Sequence, residues 1–282
     1  MGLFTDNPVL EREVRGRLRL RRKGAGRAIP IVAWPIGLVA LYFYARGLVA
    51  IGRGTSRDSQ DLLPLIVYSA LALIVLLAPA LASTAITQER EQQTWEALAT
   101  TRLSAWEILF GKWVGRQLTP WLIIAVASPY LLICAIHGGF GVLFLPAALV
   151  FLVVTVGFYS ALGLLCSFQA RRTAGATATA LTLTALLCVG TVIINQVIAI
   201  LMPRSEPQGN SSVMWLNPFF AFSSLLSGLG QGSANPSYSN SAFPHDPYAL
   251  VVGFYLLVMV VAIAAALRFM VLRYSHAVRE RT

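Results

Sequence analysis

Residues 142–168, VLFLPAALVFLVVTVGFYSALGLLCSF, contain no charged side chain. A helix needs about 20 consecutive apolar residues to cross a hydrocarbon core about 30 Å thick, so this stretch is long enough to span a bilayer. Five others read in the same way, at about residues 28–51, 62–86, 108–136, 174–202 and 248–272. The third span, 108–136, carries Pro120 and Pro129 and is expected to be kinked or split. The whole composition agrees: 56% of the 282 residues are hydrophobic and 12% charged, against about 45–50% and about 25% in a soluble domain. The fold class is an all-α membrane protein with six transmembrane helices.

The formal charge is +10. Such an excess can mark a nucleic-acid surface or the inner face of a membrane protein. The cations cluster at span ends, which favours the membrane and no nucleic acid. Of the 22 Lys and Arg, Arg46, Arg53, Arg57 and Arg204 fall on one side and all the others on the opposite side. The positive-inside rule then places both termini in the cytoplasm of a multi-pass protein.

Residues 1–27 precede the first span. Asn7-Pro8 has the form of a helix start. Leu10, Val14 and Leu18 follow at four-residue spacing, with Glu11–Arg15 and Glu13–Arg17 as i,i+4 pairs and Arg12 beside them. The segment reads as an amphipathic helix lying in the membrane interface; a disordered basic arm is the alternative. The first apolar run follows a long charged stretch, so no secretory signal is expected. Cys134, Cys166 and Cys188 lie in or beside apolar runs without metal-ligand spacing and read as small hydrophobes.

Two loops are longer than connectors need to be. The outer one, 203–247, contains an apolar patch at 213–229 (VMWLNPFFAFSSLLSGL) broken by Asn217-Pro218. It is expected to form a re-entrant or interfacial helix before the last span. Small residues at Gly157, Ser160, Ala161 and Gly163, and the run AGATATA at 174–180, point to close helix packing without naming the partner.

The span interiors carry little chemistry. All twelve acidic residues lie outside them, whereas ion-coupled transport uses ionisable groups at membrane depth. Asn195 and Gln196 are the polar pair nearest an apolar centre, and are expected to bond across helices. No H-E-x-x-H and no G-x-x-x-x-G-K-[ST] phosphate loop is present, and no nucleophile sits with a base. An intramembrane enzyme lacks its residues, and active transport would draw its energy from another chain.

The cytoplasmic loop, 87–107, is the richer of the two. Residues 88–99 read as a short amphipathic helix with Trp95, Leu98 and Ala99 on one face. Ser104 and Glu107 have the spacing of a capping box that starts the next helix. Mixed charge with a Trp suits docking in a protein groove; a solvated connector is the bland alternative.

The run Thr87-Gln88-Glu89-Arg90-Glu91-Gln92-Gln93-Thr94-Trp95-Glu96-Ala97-Leu98, then Leu103-Ser104, Ile108 and Gly111-Lys112, resembles the first cytoplasmic loop of ABC-2-type permeases. That family carries a T-x-E-R-E-x-G-T-x-E-x-L core there. The opening Asn7-Pro8-Val9-Leu10 with Arg12-Glu13-Val14-Arg15 also resembles bacterial members, and the layout matches over the whole chain. Gln93 departs from the pattern, which often has Gly.

The resemblance implies a permease subunit of an ATP-binding-cassette exporter in a bacterial inner membrane. The loop would be a coupling helix on which a separate ATPase subunit docks, through Thr87, Glu89, Arg90, Glu91, Thr94, Trp95, Glu96 and Leu98. Leu10, Arg12, Glu13, Val14, Arg15 and Leu18 would brace that contact. A second permease chain would complete the membrane part. ATP and Mg would belong to the ATPase, with no cofactor and no catalysis in this chain. A non-transporting membrane scaffold with the same topology is the alternative.

Overall fold

The computed structural model describes residues 56–93, 104–138, 143–201, 212–229 and 248–279. The interfacial helix with Leu10, Arg12, Glu13, Val14, Arg15 and Leu18, the span at 28–51, and Thr94, Trp95, Glu96 and Leu98 lie outside the described residues. Those residues form α1 (Ser56–Ala82), α2 (Thr87–Glu91), α3 (Ala105–Gly138), α4 (Phe144–Gln169), α5 (Thr173–Leu201), a 3-10 turn (Ser212–Leu216), α6 (Pro218–Leu229) and α7 (Tyr248–Arg279). Among the described residues there is no strand.

Among the described residues, four segments are long and apolar enough to cross a membrane: Val67–Glu91, Phe144–Gln169, Thr173–Leu201 and Ala249–Tyr274. In α3, 34 residues at 1.5 Å each come to about 50 Å, longer than a hydrocarbon core requires. α3 is one continuous helix with both prolines inside it, so of the two outcomes expected, kinked or split, the split is not found. Proline at 129 removes the N–H that would bond the Ala125 carbonyl. The Ser128 hydroxyl donates to that carbonyl at 3.0 Å, so the acceptor is satisfied without breaking the helix.

The core sits where α1 and α4 meet. Of the apolar windows of these two elements 61% is buried, against 11% for α5 and 22% for α7, so α1 and α4 are central and the other two peripheral. Val67, Leu71 and Ile74 from α1 pack with Phe151, Leu152 and Tyr159 from α4, Phe222 from α6 and Tyr255 from α7. The Phe151 and Tyr255 rings stack at 4.9 Å. A second cluster at one end joins Ile86, Leu109, Leu164, Leu267 and Met270.

The small residues of α4 now have partners. A Cβ on Gly163 would fall 2.4 Å from the Pro79 carbonyl oxygen and 2.9 Å from Pro79 Cα, so α1 and α4 cross backbone to backbone there. At Gly157 a Cβ would meet Ile263 of α7 at 3.2 Å and Trp113 of α3 at 3.4 Å. The Trp113 indole donates to the Gly157 carbonyl at 3.0 Å. Ala176 and Ala180, in the alanine-rich run, are fully buried.

The patch at 213–229 divides into the 3-10 turn and α6. With 12 residues, α6 is about 18 Å long and too short to cross. Its Phe220, Phe222 and Leu225 are buried.

Candidate functional site

α1 ends at Ala82, and the chain turns through 83–86 into the five-residue α2. A helix leaves its first N–H groups without intrahelical acceptors, and Ile86, at the N-cap of α2, has no side chain able to accept. The acceptor comes from α4. Ser167 Oγ, fully buried, takes the N–H of Ile86 at 2.9 Å and of Thr87 at 3.1 Å. Thr87 is itself buried and donates to the Ser83 carbonyl at 3.1 Å.

The three charged residues that follow reach three different helices. Glu89 Oε1 lies 2.5 Å from Lys112 Nζ of α3, whose side chain is only 1% exposed. Arg90 Nη1 donates to the Ala170 carbonyl, at the end of α4, at 2.9 Å, and its guanidinium stands 5.9 Å from the Phe168 ring centre. Glu91 Oε1 accepts from the Thr173 backbone N–H at 2.7 Å and from its hydroxyl at 3.1 Å. Thr173 opens α5, whose N-cap residue Arg172 supplies no side-chain cap. Glu91 thus caps α5 from another segment, placing a negative charge at the positive end of the helix dipole. Arg116 of α3 adds a bond to Thr84 Oγ1 at 3.0 Å.

α2 ends sooner than the spacing predicts. Residues 94–99 of the helix expected over 88–99 lie outside the described residues; its described part stops at Glu91, and Gln93 takes a φ of 57°. Its N–H donates to the Arg90 carbonyl at 3.2 Å, as in the left-handed residue that commonly closes a helix and is usually Gly. The motif's Gly position is therefore a helix stop, and Gln93 holds the same turn with a side chain that favours other conformations. Gln93→Gly is expected to stabilise this turn by about 1 kcal/mol, read as slower amide exchange over residues 86–93.

The capping box is present. Glu107 Oε2 accepts from the Ser104 N–H at 2.9 Å and from its hydroxyl at 2.9 Å, and the Glu107 N–H donates to Ser104 Oγ at 3.3 Å. The Ser104 N–H first, and its hydroxyl second, hold the Glu107 carboxyl below its ordinary pKa. A lowered folded-state pKa means that the stabilisation is present above the ordinary carboxylate pKa of about 4.3 and is lost as pH falls through and below it. Amide exchange at 104–109, corrected for intrinsic rate, is expected to accelerate on acidification from pH 6 to below about 4. Glu107→Gln should remove that dependence, whereas Ser104→Ala, which keeps the backbone N–H, should only weaken it.

Of the docking residues expected from the sequence, Thr87, Glu89, Arg90 and Glu91 are brought together here; Thr94, Trp95, Glu96 and Leu98 lie outside the described residues. Ser167 and Thr173 were not foreseen. A polar residue closing an apolar run, as Ser167 does, was the one local signal for its role. Lys112 was visible in the motif, but its pairing with Glu89 was not. Among the described residues, no group of three or more His, Cys, Asp or Glu could hold a metal ion.

The arrangement defines a class: an integral membrane protein, helical throughout its described elements, whose short α2 is tied to three longer helices at once. The family model of the ABC-2 family transporter proteins matches residues 23–276, and the chain belongs to that family. It is a membrane permease component of an ABC transporter, in a family that is itself a transport component and typically works with an ATPase subunit. No curated protein matches the chain.

Proposed function

We propose that the chain is the six-span permease subunit of an exporter, driven by a separate ATPase that docks at residues 87–107. The span at 28–51 and α3 would complete the six, both termini would face the cytoplasm of a bacterial inner membrane, and residues 1–27 would lie along its interface. Two permease chains and two ATPase chains would form the working unit, with ATP and Mg bound by the ATPases.

One observation carries this reading. The consecutive Glu89, Arg90 and Glu91 bond to α3, to the end of α4 and to the start of α5, so a displacement of α2 is delivered to three helices together. This refines the roles of the triplet. Glu89 and Arg90 transmit, while the exposed Gln88, Gln92 and Gln93 are left to meet the partner alongside Thr94, Trp95, Glu96 and Leu98.

The test is a photo-crosslinking amino acid placed at Gln92 in cells that also express a candidate ABC ATPase subunit. An adduct with that ATPase is expected. Its absence, with the ATPase present and the permease in the membrane, would overturn the docking assignment. The charge reversal Glu89→Lys/Glu91→Lys should leave ATP hydrolysis insensitive to the permease; a complex with unchanged coupling would count equally against it.

A further inference from the structure

The fifth span contains a register change. Residues Leu186–Gly190, midway along α5, form a π turn between the α-helical halves Thr173–Ala185 and Thr191–Leu201. Such a turn holds one extra residue and disturbs the regular i→i+4 bonding. A backbone carbonyl left unbonded within the hydrocarbon region costs several kcal/mol, so the turn needs hydrogen-bond donors from elsewhere.

Asn217 supplies them. It lies between the 3-10 turn and α6 and is 2% exposed. Its Nδ2 donates to the Cys188 carbonyl, inside the π turn, at 2.8 Å and to Thr191 Oγ1 at 2.9 Å. The Thr191 hydroxyl itself donates within the turn, to the Leu187 carbonyl at 2.9 Å and that of Cys188 at 3.0 Å. At its other end Asn217 Oδ1 accepts the Phe219 N–H at 3.0 Å, and so caps α6. The two ends demand the same amide orientation, since a flipped amide would set oxygen against the Cys188 carbonyl. One side chain therefore starts α6 and completes the π turn.

We propose that Asn217 is a positioning residue that makes the docking of α6 and the π register of α5 a single equilibrium. When α6 leaves, the amide leaves with it, and the Cys188 carbonyl keeps only the Thr191 hydroxyl, whose single proton it shares with the Leu187 carbonyl. The turn then relaxes to α-helix, and the half beyond it rotates by one residue's worth, about 100°. That half carries Asn195, half-buried, and Gln196, exposed, the polar pair deepest in an apolar run. Docking of α6 thus sets which way this pair faces. The inference stands whether or not an ATPase docks at α2.

The test uses the full chain in lipid nanodiscs, with single spin labels scanned through 174–185 and 192–201 on a background with Cys134, Cys166 and Cys188 replaced by alanine. Collision accessibility to a lipid-soluble relaxant gives the helical phase of each half. Asn217→Ser keeps a capping oxygen for α6 but is too short to reach Cys188. It is expected to shift the phase of the outer-numbered half by about 100° while the first half stays as in the parent. An assembled Asn217→Ser protein with the parent phase would overturn the proposal. Should the variant fail to assemble, hydrogen exchange of the unmodified chain decides. Peptides from 186–195 and 212–229 opening with one common protection factor support the linkage, and independent opening overturns it.

Discussion

Gly163→Ala is expected to prevent stable packing of α1 against α4. The new Cβ would lie 2.4 Å from the Pro79 carbonyl oxygen and 2.9 Å from its Cα, and both atoms are backbone. No rotamer change relieves that contact; the helices have to separate. Overpacking of a tight core usually costs about 1–3 kcal/mol and occasionally more, and a backbone clash at the central crossing belongs at the upper end, about 3 kcal/mol. Val67, Leu71 and Ile74 would lose contact with Phe151 and Tyr159 in the same movement. Gly175→Ala is the matched control, because nothing lies within 4 Å of its Cβ position. There the substitution should be neutral or stabilising, by up to about 1 kcal/mol, through the higher helix propensity of alanine. Thermal unfolding in detergent distinguishes the two: a large loss at Gly163 with none at Gly175 is expected, and equal melting temperatures would show that the crossing is loose.

The second large effect concerns Glu89 and Lys112. Lys112 is almost wholly buried, with 1% of its side chain exposed, against 17% for Glu89. Removing one partner of a buried pair is costly because the other charge stays desolvated, typically about 3–5 kcal/mol. The asymmetry in burial makes the two single changes unequal. Glu89→Ala leaves the ammonium inside without its carboxylate and should cost about 3 kcal/mol. Lys112→Met leaves a carboxylate that can turn towards water and should cost about 1–2 kcal/mol. The double variant should recover most of the larger loss, because replacing both charges of a buried pair is often close to neutral. A double-mutant cycle in the melting assay measures the coupling directly. Strict additivity would mean that the pair is spread apart in the membrane and does not tie α2 to α3.

The charge pairing and the helix crossing differ in how far each could be read beforehand. Gly157 and Gly163 announce close packing by their size, and the motif places Glu89 and Lys112 in one stretch of chain. Neither says what lies opposite. Gly163 meets Pro79, and Glu91 meets Thr173, at sequence separations no local pattern spans. Ser167 was passed over for the same reason: its work is to cap a helix to which it is not adjacent in sequence. The continuous helix expected over 88–99 is interrupted at Gln93 because periodicity counts faces and does not register a left-handed backbone at a glutamine. The Ser104–Glu107 capping box, by contrast, depends only on residues three apart, and its geometry follows the local rule.

What the sequence determined by itself is the membrane class, the positions of the four long apolar segments found among the described residues and the start of α3. Span length and apolar content are properties of a continuous segment, and lipid demands that each segment satisfy its own backbone. What the tertiary structure decided is how the ABC-2 loop is held. Its Glu-Arg-Glu triplet could have faced outward to a partner; in the fold Glu89 and Arg90 turn inward to α3 and α4, and Glu91, though exposed, caps α5. It also decided that α5 carries a π turn and that Asn217 completes it. These depend on which donors and acceptors the packing of distant helices brings within about 3 Å, and residues 29 positions apart such as Cys188 and Asn217 meet only once the bundle has formed.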